Sequence, residues 1–310
     1  VAEFGIPVGE VAVADGGLAT ALEARGHDLS DALWSARLLV DAPDEIRAVH
    51  AAFFRAGAVI ATTASYQASF EGFAARGIDR EHAARLLRRS VELACAARDE
   101  IEDGRERWIA ASIGPYGSAL ADGSEYRGRY GLSLAALKRW HLPRLEVLAD
   151  SGADVLALET IPDIDEAEAL AGLLDGSGVP AWLSYTVDGE RTRAGQPLRE
   201  AFAIAAGVPE IVAVGVNCCA PHDVAVAITL AREVTGKPVI VYPNSGEGWN
   251  DERRCWTGEP RFSAAQAVEW MESGAAIVGG CCRVLPADIE RLAAIVASAG
   301  RRSPEEPNHE

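Results

Sequence analysis

The sequence predicts a (β/α)₈ barrel of the TIM type, and three observations carry that prediction. Short apolar runs recur eight times, amphipathic helical stretches separate them, and the whole set fits within 310 residues. Continuous apolar runs, in place of polar–apolar alternation, are expected of parallel strands covered on both faces. Eight such units in roughly 250–300 residues match the size and count of this barrel. The alternative is a doubly wound open sheet. Against it, the first run is followed by Asp15-Gly16-Gly17-Leu18-Ala19-Thr20, which lacks the Gly-x-Gly-x-x-Gly of a dinucleotide site. Residues 1–300 are expected to form one barrel domain, and residues 301–310 have the composition of a disordered tail.

The first strand is predicted at 11–14, ending at Asp15-Gly16-Gly17, and the second at 58–61, ending at Thr62-Thr63-Ala64-Ser65-Tyr66. The third, 108–112, leads into Gly114-Pro115-Tyr116, and the fourth, 154–158, into Glu159-Thr160-Ile161-Pro162. Runs at 181–185, 211–216, 238–242 and 276–278 complete the eight. Helices are predicted at 43–56, 79–102, 134–150, 163–174 and 286–299, where Ala, Leu, Glu and Arg follow the 3.6-residue period. Pro43 and Pro286 suit a first helical turn. The stretch 116–132 is polar, glycine-rich and too long for an ordinary loop, so it is expected to cover part of the barrel rim.

Composition narrows the function classes. A hydrophobic fraction of 49% supports a large core, and no apolar run approaches the ~20 residues of a membrane span. The first residues, Val1-Ala2-Glu3-Phe4-Gly5, do not resemble a signal peptide, so a cytoplasmic chain with no membrane partner is expected. A net charge of −17 excludes the basic footprint of a nucleic-acid binder and mildly favours cationic small molecules. Two vicinal pairs, Cys218-Cys219 and Cys281-Cys282, make an awkward disulfide framework, so reduced thiols are favoured. Cys95 and Cys255 read as packing residues.

On this fold, chemistry sits at the C-terminal ends of the strands. Asp15, Tyr66, Glu159, Asn217, Cys218, Cys281 and Cys282 would all lie on that rim. Thiolates converging from two strands suit a soft divalent ion, above all zinc. Three would leave an open, catalytic position, whereas a fourth, Cys219, would close the site. Strand alternation does not choose between Val216/Cys218 and Asn217/Cys219 as the inward pair, because both faces are buried. Cys281 and Cys282 reach one ion only if the chain turns, which Gly279-Gly280 would ease.

A thiol entering the open position would lose its proton, which suits sulfur attack on an electrophilic carbon. Asp15 and Glu159 could be ordinary helix N-caps, but as a pair on the rim they could grip an ammonium group. The amides around Gly16 and Gly17 could receive a carboxylate. Tyr66, Tyr116, Tyr242 and Trp249 could together line a pocket for a cationic methyl donor.

Several motifs then stand in a specific order: Asp15-Gly16-Gly17-Leu18-Ala19-Thr20, Leu33-Trp34-Ser35-Ala36, Thr62-Thr63-Ala64-Ser65-Tyr66-Gln67-Ala68 and Gly114-Pro115-Tyr116-Gly117. They continue with Leu120 to Gly128, Glu159-Thr160-Ile161-Pro162, Gly215-Val216-Asn217-Cys218, Val241-Tyr242-Pro243-Asn244-Ser245-Gly246-Glu247 and Gly279-Gly280-Cys281-Cys282-Arg283. Over nearly its whole length the chain resembles the homocysteine S-methyltransferases, in their S-methylmethionine-using branch. The resemblance implies a homocysteine-binding barrel with one zinc ion per chain held by Cys218, Cys281 and Cys282, Cys219 being a spare. It implies homocysteine contacts at Asp15, Gly16, Gly17 and Glu159, with Asn217 close to the metal. The nucleophile would be the zinc-bound substrate thiolate, with no separate protein nucleophile and with no cobalamin or folate. Methyl transfer from S-methylmethionine would give two methionines. S-adenosylmethionine or betaine as donor, and selenocysteine as acceptor, are alternatives within this class. A thiol-based redox or metal-sensing protein, or a structural four-cysteine zinc barrel, are readings from other classes.

Overall fold

Eight parallel strands carry the architecture: β1 (Ala12–Val13), β2 (Ile60–Thr62), β3 (Trp108–Ile113), β4 (Val155–Ile161), β5 (Ala181–Tyr185), β6 (Ile211–Asn217), β7 (Val239–Tyr242) and β8 (Ala275–Val278). This is a computed structural model, and it describes Gly5 and residues 10–30, 33–250 and 255–300. The expected tail, 301–310, lies outside the described residues. The sheet order is β1-β8-β7-β6-β5-β4-β3-β2, and a parallel bridge between Ala14 and Ile60 joins its two ends. There the Val59 amide donates to the Val13 carbonyl at 2.7 Å and the Asp15 amide to the Ile60 carbonyl at 3.0 Å. The result is the nearly closed barrel that the eight apolar runs predict, each strand within a few residues of its expected bounds.

Helices lie between the strands, including Pro43–Arg55, Arg80–Asp99, Leu134–Ala149, Ile164–Leu174 and Pro286–Gly300. Three begin at side chains that accept a free backbone N–H of the first turn: Asp79 from His82, Ser133 from Ala136 and Asp163 from Asp165. Leu198–Ala206, Val224–Thr235 and Gln266–Ser273 follow β5, β6 and β7. Two small antiparallel ribbons, Val187–Asp188 with Arg191–Thr192 and Gly248–Asn250 with Cys255–Thr257, have no counterpart in the predicted elements.

The apolar residues separate into two layers. Ala12, Ile60, Trp108, Val155, Trp182 and Ile240 belong to a cluster that fills the barrel interior, large rings against small alanines. A much larger cluster lies between strands and helices. The inward register continues upward with period two, so Ser112, Glu159, Ser184 and Asn217 form a polar layer at the C-terminal strand ends. Gly215 shares this register, and a Cβ there would stand 1.7 Å from the Ile240 carbonyl oxygen. Only glycine lets β6 and β7 approach so closely at this point.

Candidate metal centre and active site

The end of β6 decides which cysteine faces the rim. Asn217 keeps the inward register, and Cys218 follows it in the left-handed region with φ of +50°. That turn breaks alternation, so adjacent side chains serve the same end of the barrel. Cys218 Sγ lies 2.8 Å from Cys281 Sγ and 3.8 Å from Cys282 Sγ. Among the described residues these three form the cysteine-containing group able to hold one ion, with all sulfurs within 4.8 Å of one another. Cys219 turns the other way, is 1% exposed, and joins the apolar layer behind the strands. Burial first, with Asp223 and Cys218 nearby, pushes its thiol far up.

Cys281 and Cys282 open the loop after β8. The Cys281 amide donates to the Pro243 carbonyl at 2.8 Å, and the Cys282 amide to Asn244 Oδ1 at 3.1 Å. The Val284 amide returns to the Cys281 carbonyl at 3.2 Å, and the left-handed residue of this turn is Arg283, φ +67°. Gly279 and Gly280 are therefore needed for closeness and not for turning. A Cβ at Gly279 would meet Ala14 Cβ at 2.9 Å, and one at Gly280 would meet the Val284 side chain at 2.3 Å. Gly17 serves likewise, since its Cβ would reach the Cys281 carbonyl at 2.6 Å. With the three thiols adjacent, the contacts among them lower Cys218 and raise Cys281 and Cys282.

Two buried carboxyls border the sulfurs. Asp15, 3% exposed, accepts from the Thr62 amide at 2.8 Å and from Thr62 Oγ1 at 3.2 Å. Glu159, 6% exposed, accepts from the Ser112 hydroxyl. Burial pushes Asp15 up to about 8, against the pull of the Thr62 amide and with Glu159 adding repulsion. Burial likewise pushes Glu159 up to about 7, partly offset by Ser112. Neither acts as the N-cap of a following helix: the capping positions are Gly17 and Asp163. Asn217 is fully buried and occupied by the frame. Its Oδ1 accepts from the Thr160 amide at 2.7 Å and the Ser184 hydroxyl at 2.8 Å, and its Nδ2 donates to Thr160 Oγ1 at 2.8 Å.

These groups open onto a cavity of about 840 Å³ lined by Asp15, Gly16, Gly17, Glu159 and the three thiols. The 116–132 segment covers part of it, as expected, through Ala121, Asp122, Gly123, Glu125 and Tyr126, the last two in the turn Ser124–Tyr126. Of the aromatics, Tyr66 and Tyr242 line the cavity, Tyr66 standing edge-on to Trp34 at 6.1 Å between centroids. Tyr242 Oη accepts from Trp182 Nε1 at 3.0 Å. Tyr116 instead packs against Tyr130 and Trp140, at 5.2 and 5.1 Å, and does not line the cavity. The Trp249 side chain lies outside the described residues, as does that of Cys255.

Sequence reasoning assigned no role to Trp34, Glu125 or Tyr126, all of which line the cavity. The Tyr126 hydroxyl is 3.8 Å from Cys218 Sγ, and burial raises its pKa. The signal for these residues was present only as the motifs Leu33-Trp34-Ser35-Ala36 and Glu125-Tyr126-Arg127-Gly128, which say nothing of where a loop folds back.

The model of the homocysteine S-methyltransferase family matches residues 12–296. The chain belongs to that family. It is 46% identical to the homocysteine S-methyltransferase of Escherichia coli K12 over 294 residues, 92% of this chain and 95% of that protein. It is 44% identical to the selenocysteine Se-methyltransferase of Brassica oleracea, over 92% of this chain and 88% of that one. Among solved structures it is similar to the metallated form of the homocysteine methyltransferase MmuM from Escherichia coli. The TM-score is 0.83 at 45% identity, covering 92% of this chain and 96% of that one. As in that family, the fold is a TIM-type barrel, and the three converging thiols have the donor set to hold a metal. Among the described residues no helix is long and apolar enough to cross a membrane.

Proposed function

We infer that this family member transfers a methyl group from a small sulfonium donor to the sulfur of homocysteine, giving methionine, with zinc at Cys218, Cys281 and Cys282. The observation that carries this reading is the meeting of three thiols and two buried carboxyls on one cavity floor. Three sulfurs without a histidine or carboxylate among them form a soft donor set that suits zinc, and an ion held by them would be open to a further ligand. Zinc held there supplies the positive centre that turns an entering thiol into a nucleophile at neutral pH.

The protein's own groups bind, align and shield. Asp15 and Glu159 are positioned to take the homocysteine ammonium, whose charge would favour their ionised forms over the neutral ones that burial favours. Thr62 and Ser112 hold those carboxyls in place. In the transfer, a bond forms between the homocysteine sulfur and the methyl carbon, and the sulfonium S–C bond breaks. The leaving group is a neutral thioether, so it needs no acid. What remains for the protein is in-line alignment, helped by Tyr126, whose hydroxyl is 3.8 Å from Cys218 Sγ, and by Tyr66 on the cavity wall.

The test is methyl transfer to homocysteine from S-methylmethionine, S-adenosylmethionine and betaine, with protein as purified, after chelation, and after zinc return. The expectation is transfer from a sulfonium donor, lost on chelation and restored by zinc. Metal-loaded protein that methylates homocysteine from no sulfonium donor would end the proposal. Because one relative is a selenocysteine Se-methyltransferase, selenocysteine belongs in the same assay as a second acceptor. The same site would accept it, as a selenol ionises more readily than a thiol.

A further inference from the structure

Three thiolates on one divalent ion leave a net negative charge. The cavity around them offers no permanent cation to offset it: no lysine or arginine stands among the described lining residues. What reaches the sulfurs is hydroxyl groups. The Tyr126 hydroxyl lies 3.8 Å from Cys218 Sγ, within reach of a hydrogen bond to sulfur. The Thr160 hydroxyl approaches the same sulfur from β4, where Asn217 ties it to the barrel frame. Tyr126 comes instead from the segment that covers the cavity.

The segment's own bonds fix the place of that hydroxyl. Asp122 accepts from the Ser124 amide at 2.9 Å, and the Arg127 and Gly128 amides return to the Ser124 carbonyl at 3.0 Å each. Beyond the turn, the Arg129 amide donates to Asp163 Oδ2 at 2.6 Å and Arg129 Nε to the Ala194 carbonyl at 2.8 Å. Asp163 caps the helix after β4 and Ala194 belongs to the loop after β5, so the turn is tied to two neighbouring strands. The Arg193 guanidinium stands over the Tyr126 ring at 5.9 Å. Ring and backbone are both held, and the hydroxyl is the end that meets the sulfur.

A metal ligand must be deprotonated, and a thiolate can only accept, so with an ion in place the bond runs from the Tyr126 hydroxyl to the sulfur. Hydrogen bonds to charged acceptors are the stronger kind, and groups bonded to ligand atoms tune the ion those atoms hold. Resting on the three-thiol zinc site read above, we propose that Tyr126 is a positioning residue for the metal. Its hydroxyl donates to the Cys218 thiolate, offsets part of the charge on the sulfurs and fastens the covering segment over them. The coupling runs both ways. An ion that makes Cys218 a thiolate strengthens the bond and steadies the segment. A segment moored by Arg129 and Asp163 in turn strengthens the hold on the ion.

The experiment titrates zinc into the reduced, metal-free protein against a chromophoric chelator, and reads the absorption of the cobalt(II) form in parallel. Tyr126→Phe keeps the ring and removes only the hydroxyl. It should weaken zinc binding about 10-fold. It should also move the cobalt–thiolate charge-transfer band to longer wavelength, because a sulfur without its hydrogen bond gives up electron density more easily. Arg129→Gly suits the left-handed backbone there, φ +54°, and removes the Nε bond. It should shift affinity and band the same way by less, and add little to Tyr126→Phe, since both act through one hydroxyl. A cobalt band that stays in place in Tyr126→Phe overturns the proposal even where affinity falls, since a general loss of structure weakens binding without touching the sulfur's electrons. Losses that add in full overturn it as well. Wild-type protein that binds no zinc, or whose cobalt form shows no thiolate band, overturns the parent reading instead.

Discussion

Replacing Cys219 should cost stability and spare the metal. The side chain is 1% exposed within the apolar layer, and burial keeps its thiol protonated, which makes it a poor ligand at neutral pH. Cys219→Ala removes one sulfur from a packed layer, a loss of about 1 kcal/mol. Cys219→Ser puts a hydroxyl into the same apolar surroundings at a cost of about 1–3 kcal/mol. At this chain length each kcal/mol lowers the melting temperature by about 2 °C. Both variants should purify with wild-type metal content and transfer methyl groups within about twofold of wild type, Ser melting below Ala. Cys218→Ala is the contrast: it should fold and lose the metal. Metal content by plasma mass spectrometry after gel filtration, read beside near-ultraviolet circular dichroism, checks the set. A folded Cys219→Ala with less than about half the wild-type metal would refute the three-thiol arrangement, because burial alone could not explain it.

Three further outcomes rest on single features. His50 is fully buried, neither ring nitrogen has a hydrogen-bond partner, and burial lowers its pKa from 6.5 to about 4. The unfolded chain takes up a proton below about 6.5 while the folded one does not until about 4, so stability should fall by about 3 kcal/mol as pH drops through that window. Urea midpoints at pH 7.5 and 4.5 should show His50→Leu more stable and without this acid loss. Gly215→Ala drives a Cβ to 1.7 Å from the Ile240 carbonyl oxygen and should shift expression to the insoluble fraction, since two packed strands would have to part by about an ångström or more. Asn217→Ala leaves the Thr160 amide and Ser184 hydroxyl without acceptors and should cost about 2–5 kcal/mol by chemical denaturation.

The barrel was legible because its cause is local: a strand buried on both faces must be apolar throughout, and eight such runs are visible in any linear reading. The rim was legible for the same reason, since the fold assigns the C-terminal strand ends their place. Side-chain direction at those ends was not. Tyr116 sits where a strand hands over to the rim, yet Tyr130 and Trp140 draw it away from the cavity. Trp34 and Tyr126 enter the cavity from loops, where tertiary contacts set the path and periodicity says nothing. Asn217, beside a ligand candidate in sequence, is consumed by its bonds to Thr160 and Ser184. Its contribution is to hold Glu159 and Cys218 in place from the neighbouring position on each strand.

The choice between Cys218 and Cys219 shows why local rules stop at such a site. Alternation would have sent the residue after Asn217 outward, and conformational preference would have put glycine or asparagine at a φ of +50°. A cysteine stands there instead, held by its amide to the Tyr242 carbonyl at 3.3 Å and by the Thr186 hydroxyl to its own carbonyl at 3.2 Å. Thr160, at the end of β4, is likewise left-handed with φ of +60°, directly after Glu159, and Asn217 bonds it to the end of β6. Two unfavourable backbone positions, each costing about 1 kcal/mol, are thus braced against one another by one buried amide. What this arrangement achieves is a carboxyl and a thiol aimed at the same cavity from strands that alternation alone would have left facing apart.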